Sequence, residues 1–181
     1  MDLDLIETPL TDAEQDTLAQ FLIRAQWPLK PDIFAAWVRK FVSVPIELAV
    51  FNQDGHVLLI YRKDQEYEGY HMPGTVLRDN EDVPTAINRL LSGEVGSKVT
   101  RPIPLGWKEV TRGNEFGQNR SRHEISLLHT CWPIGPYSGE GEFFPTDQLP
   151  ENTLSHHKVL IEEMVKRLKS GEYGSELFRE I

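Results

Sequence analysis

At Val44 the apolar residues change period, and this change narrows the possible folds more than any other feature of the chain. Before it they recur at helical spacing. Leu18, Phe21, Leu22 and Ala25 fall at i, i+3, i+4, i+7, and so do Phe34, Trp37, Val38 and Phe41. "TDAE" at 11–14 is a capping box, in which the Thr11 hydroxyl accepts from a helix amide and Glu14 reaches back. Trp27-Pro28 stops the first helix, because a residue before proline is pushed out of the α region. Pro31-Asp32 opens the second. The spacing predicts a loose arm over 1–10 and a helical hairpin across 1–43. From Val44 onward the runs are β-rich. "VPIELAVF" and "HVLLIYRK" flank "NQDG", a hairpin turn signal. A loop opening into a helix follows at 74–97, then strands at "PIPLGWKEVT" and "HEISLLHTCW" and a short edge strand at "GEFF". Ser155 is expected to cap a last helix, with His157, Leu160, Ile161, Met164, Val165 and Leu168 on its apolar face and Gly171 at its end. The order αα-β-β-α-β-β-β-α predicts an α+β sandwich rather than alternating βαβ units. The expected organisation is an N-terminal extension (1–43), one domain (44–170) and a C-terminal tail (171–181).

Composition excludes several function classes. The 181 residues suffice for one ordinary domain with a proper core. No apolar run approaches the ~20 residues of a bilayer crossing, so no membrane role is expected. The acidic start "MDLDLIETPL" lacks the basic opening of a secretory signal, and a cytoplasmic protein is expected. The lone Cys131 excludes an internal disulfide and any multi-cysteine zinc site. A net charge of −9 argues against a long nucleic-acid surface. A nucleotide-type small molecule in a small pocket stays open, because a few local cations suffice there.

"GTVLRDNEDVPTAINRLLSGEVGS" (74–97) has room for chemistry. A helix places i, i+3 and i+4 on one face. Three carboxylates there could hold Mg²⁺ or Mn²⁺, which prefer oxygen ligands, and a diphosphate would supply more. The three positions are Leu90, Gly93 and Glu94, and Glu94 alone is acidic.

The segment 46–97 resembles the Nudix hydrolases, whose box reads G-x5-E-x7-R-E-U-x-E-E-x-G-U, with U aliphatic. Laid on this chain, the box starts at Thr75 and places Glu81, Arg89, Glu94 and Gly96 on its Glu, Arg, last Glu and Gly. "HMPG" (71–74) matches the apolar-Pro-Gly lead-in, and later segments as far as Leu168 are similar too. The resemblance implies a Nudix-type α/β/α sandwich with a mixed sheet, with the N-terminal hairpin added outside the common core. It implies Mg²⁺- or Mn²⁺-assisted attack of water on a nucleoside diphosphate linked to another moiety. It implies that Glu81 and Arg89 brace loop against helix, and that Glu94 is the remaining catalytic metal ligand. Four positions depart from the box: Thr75, Leu90, Gly93 and Ser97. The two missing glutamates, at 90 and 93, are metal ligands in the family, so the box is degenerate. An impaired or rearranged metal site and a non-catalytic nucleotide-binding or regulatory protein are therefore competing expectations.

Other side chains carry paired readings. Glu94 as a ligand competes with Glu94 as a solvated or salt-bridged helix residue. Arg62, Arg112, Arg120 and Arg122 are candidates to bind substrate phosphates, since guanidinium forks match phosphate oxygens; an ordinary charged loop is the alternative for the last three. Glu115 shares that loop without a fixed role. Tyr70 and Trp107 could stack on a base or sugar, or be half-buried packing. His156 and His157, adjacent on a helix, are read as solvent or core histidines. Cys131 is read as a buried structural thiol. The stripe Phe34, Trp37, Phe41 suits either the domain's own sheet or a homodimer interface.

Overall fold

The computed structural model describes residues 9–63, 68–111 and 122–171. Its helices are α1 (Asp12–Arg24), α2 (Pro31–Lys40), α3 (Val83–Leu90) and α4 (Ser155–Ser170). Its strands are β1 (Val42–Ser43), β2 (Pro45–Val50), β3 (Val57–Lys63), β4 (Glu68–His71), β5 (Gly74–Val76), β6 (Ile103–Val110), β7 (His123–Cys131) and β8 (Glu142–Phe144).

The mixed character of the larger sheet comes from β7. β1 and β2 run parallel along one of its sides, while β6 lies antiparallel along the other. β5 adds antiparallel to the far side of β2. A second sheet places β3 between β4 and β8, all antiparallel. Every residue of β2 is buried, as expected of a strand with neighbours on both sides and helices over both faces. Its period of two then sorts its side chains. Ile46, Leu48 and Val50 meet Ala86, Ile87 and Leu90 of α3, while Ala49 belongs to the cluster formed by Leu160, Ile161 and Met164 of α4. Each such leucine or isoleucine, taken wholly out of water, contributes about 2 kcal/mol.

The expected hairpin around "NQDG" is corrected. The turn forms, with the Asn52 side chain accepting from the amides of Asp54 and His56. Beyond one bridge, Phe51 to Val57, the two strands part and enter different sheets. The physical reason is that both sides of β2 are taken by β7 and β5. β1, β4 and β5 are too short, at two to four residues, to show a period in sequence. At α4 the cap residue is Leu154 rather than Ser155, which begins the helix, and left-handed Gly171 closes it.

The capping box of α1 is present, with Thr11 Oγ1 and the Glu14 carboxylate serving each other's turn of chain. Its apolar stripe is not covered: Phe21 is 63% exposed and α1 buries no residue. α2 buries only Val38. What holds this extension together is a pile of rings. Trp27 meets Phe34 and Trp37 edge-on at 6.0 and 5.7 Å, and Phe34, Trp37 and Phe41 stack in turn at 6.2 and 6.3 Å.

Candidate active site

The loop before α3 is fastened to the helix by one guanidinium. Asp82 caps α3 by accepting from the Thr85 amide at 2.8 Å, with Pro84 in the first turn where its missing N–H costs nothing. Arg89, in the last turn of α3, then reaches back. Its Nε and Nη2 donate to the two oxygens of Glu81 at 2.8 Å each. Nη1 donates to Thr75 Oγ1 at 2.5 Å and Nη2 to the Val76 carbonyl at 3.0 Å. The Arg78 amide donates to Glu81 as well. These bonds to Arg89 hold the Glu81 carboxyl well down, at about 2. Thr75, a departure from the box, thus serves as a partner of the brace.

After Leu90 the helix widens into a π turn over Leu91–Val95, ended by left-handed Gly96, whose amide donates to the Leu91 carbonyl. The three box positions separate here. Leu90 is 2% exposed and packs in the α3 core with Ile46, Leu48 and Leu58, away from the cleft. Gly93 faces open space, with nothing within 4 Å of where a Cβ would sit. Glu94 lies in the cleft and accepts from the Gly74 amide at 3.1 Å. Burial pushes its carboxyl above the usual range, against the pull of the Gly74 amide and of the Arg62 and Arg89 charges. The expected common face is corrected at Leu90 alone: Gly93 and Glu94 both line the cleft, while Leu90 belongs to the core, because an apolar side chain at that register gains more from burial than from lining a polar cleft.

The cleft holds about 690 Å³. Arg62 from β3 and Arg122 before β7 both line it, together with Arg89. Arg122 lies 4.0 Å from Glu124 and its guanidinium carbon sits 5.7 Å from the Phe34 ring centre. Arg112, Arg120 and Glu115 lie outside the described residues. Tyr70 packs against Tyr61 and Phe144 and belongs to the core margin, while Trp107 is 60% exposed on β6 and does not line the cleft. Cys131 is fully buried, and burial pushes its thiol up to about 12.

Sequence reasoning missed a polar group under the cleft. Glu47, His71, His156 and His157 are all buried and all line it. The Glu47 carboxylate lies 3.7 Å from His157 Nδ1, and the His156 and His157 rings approach to 4.3 Å although the two are adjacent in the chain. They come from β2, β4 and α4, so no local spacing announces them. The available signal was Glu47, a charged residue inside an otherwise apolar strand run. Gly74 is the point where this group meets the box. A Cβ there would stand 2.9 Å from the Glu47 carboxylate, while the Gly74 amide holds Glu94.

The donor set decides what cation could sit here. Two carboxylates, Glu47 and Glu94, flank Gly74, and among the described residues no three His, Cys, Asp or Glu side chains converge on one point. Such a set fits Mg²⁺ or Mn²⁺ that keeps much of its water and takes further oxygens from a bound diphosphate. It does not fit a cage built by protein alone. Among the described residues, no helix is long and apolar enough to cross a membrane.

Comparison with known proteins agrees with this geometry. The NUDIX domain model matches residues 44–164. Among solved structures, a MutT NUDIX hydrolase from Burkholderia pseudomallei is similar at 21% identity, covering 68% of this chain and 98% of that one with a TM-score of 0.53. A UDP-X diphosphatase is similar at 18% identity, covering 87% of this chain and 80% of that one, with a TM-score of 0.57. The NUDIX domain of Shewanella oneidensis NrtR, solved with ADP ribose, is 17% identical, with 88% and 99% covered and a TM-score of 0.52. No curated protein matches the sequence. The chain belongs to the Nudix family, and it has that family's α+β fold.

Proposed function

We propose that this Nudix-family chain binds a nucleoside diphosphate linked to a second moiety and hydrolyses its diphosphate slowly, through a metal site reduced from the family's box. One observation carries the reading: Glu94 shares its cleft with the guanidinium groups of Arg62, Arg89 and Arg122. Arg89 forms the brace, and Arg62 and Arg122, which line the same cleft as Glu94, are the groups assigned to the phosphates. Their planar forks suit two adjacent phosphate groups. Mg²⁺ or Mn²⁺, brought in with the diphosphate, would be held by Glu94 with Glu47 nearby, and would offset the charge that develops as a P–O bond breaks. Glu94 is kept in place by the Gly74 amide. Burial raises its carboxyl, and a cation bound beside it would favour the ionised form. Turnover of ADP-ribose, UDP-glucose, dinucleoside polyphosphates or NTPs with Mg²⁺ or Mn²⁺, compared with Glu94→Ala, tests this. No excess over that variant would sink hydrolysis.

The second reading is a binding or regulatory protein without catalysis. The burial of Leu90 in the core favours it, since that position can no longer serve a metal. It predicts thermal stabilisation by ligand with the ligand recovered intact.

A further inference from the structure

We infer that the N-terminal helical extension forms part of the ligand site: Trp27 and Phe34 make an aromatic subsite that receives the planar ring of a diphosphate-linked ligand. This rests on the diphosphate reading of the cleft. The extension is poorly explained as part of the core, because α1 buries nothing and α2 buries only Val38. Yet Trp27, Leu29 and Phe34 line the same cleft as Arg62 and Glu94. Trp27 and Phe34 are half-buried and both reach the cleft, with Trp37 stacked on Phe34 and Arg122 lying over its ring. Trp37 meets Trp27 edge-on at 5.7 Å and stacks on Phe34 at 6.2 Å with the ring planes 27° apart. A ring subsite fixed in this way loses little freedom on binding.

Arg122 joins the two ends of the cleft. Its guanidinium lies 5.7 Å from the centre of the Phe34 ring, so one cation borders both the aromatic wall and the phosphate end. The cleft volume of about 690 Å³ is also larger than a diphosphate needs and suits a ligand of nucleotide size. The chemistry of the occupant follows: anionic phosphate toward Arg62 and Glu94, and a flat heteroaromatic ring against Trp27 and Phe34. In this arrangement the extension selects among diphosphates, and the Nudix domain binds what they share.

The test is calorimetry on the full chain at fixed Mg²⁺ with ADP-ribose and UDP-glucose as ring-bearing probes and inorganic pyrophosphate as the probe without a ring. Trp27→Ala and Phe34→Leu are expected to weaken the ring-bearing probes at least about 5-fold, the low end for one lost stacking contact. Pyrophosphate binding should stay within about 2-fold, and Trp27→Phe should recover most of the ring-bearing affinity. Quenching of tryptophan fluorescence by ADP-ribose should shrink in Trp27→Phe, which keeps a ring and decides the matter if the alanine variant does not fold. Equal losses for both probe types, or no loss and no change in quenching, would overturn the subsite and leave the diphosphate reading standing. A wild-type chain that binds pyrophosphate as tightly as ADP-ribose would do the same. Binding of neither probe type by the wild type would overturn the diphosphate reading itself, and the subsite with it.

Discussion

Glu81 and Glu94 belong to one motif and have been put to opposite uses by their surroundings. Glu81 receives two hydrogen bonds from Arg89 and one from the Arg78 amide, and its carboxyl falls to about 2. Glu94 receives one backbone amide and is otherwise desolvated, and its carboxyl rises. The first is ionised because the fold depends on it; the second is costly to ionise and is kept at the cleft. The difference teaches that two carboxylates of one helix-and-loop segment are held by separable means, Glu81 by a guanidinium and Glu94 by burial beside a single amide.

The contrast can be broken most severely at Leu90. Leu90→Glu places a charge in the α3 core and should cost about 4 kcal/mol or more, read as a collapsed or undetectable thermal transition. Restoring both missing glutamates together is therefore a poor test of lost catalysis. Next comes the brace. Arg89→Ala strands Glu81 and releases Thr75 and the Val76 carbonyl, for an expected loss of about 3 kcal/mol by denaturant titration.

Two pH experiments sharpen the same comparison. A depressed Glu81 means that the unfolded chain binds the extra proton, so the brace stabilises fully above about pH 4.5, its unfolded value, and this is lost as pH falls toward about 2. Glu94 has the opposite sign. The folded state holds its proton more tightly, so stability falls as pH rises through the region above 4.5. Glu94→Gln should therefore raise the melting temperature slightly at neutral pH while abolishing Mn²⁺ uptake, measured by EPR with ADP-ribose present. A melting temperature that fell instead would show that the ionised carboxylate stabilises the fold. The smallest effect on stability is expected at Gly93. Gly93→Glu points into open space and should shift stability by no more than about 0.5 kcal/mol. Stronger Mn²⁺ binding by this variant would identify Gly93 as the position where metal binding was relaxed.

The capping box and the end of α4 were legible in the sequence because each depends on contacts a few residues apart, and the brace was legible through the resemblance to the Nudix box. Glu81, in the loop, and Arg89, on α3, are eight residues apart, and Thr11 and Glu14 are one turn apart. The departure of β2 from β3 was not legible, since the Asn52–Gly55 turn has the same chemistry whether its flanking strands pair or part. Nor was the group Glu47, His71, His156 and His157, because β2, β4 and α4 meet only after both sheets have formed. The π turn hid too: helical spacing places Leu90, Gly93 and Glu94 on one face, whereas the core takes Leu90 and leaves Gly93 and Glu94 at the cleft.

Among the described residues β6 is an outer strand of the larger sheet, paired on one side to β7 and open on the other. Its register shifts between Pro104 and Gly106, and the Arg167 guanidinium from α4 donates to the Leu105 and Trp107 carbonyls at 2.8 and 3.2 Å. An unpaired strand of this length is ordinarily a template on which a second chain can add and aggregation can begin. Here proline removes one amide, the irregular register bends the line, and arginine occupies acceptors that an incoming strand would need. If those bonds keep a second strand from adding at this edge, Arg167→Ala should reveal itself first as lower solubility of the chain on heating.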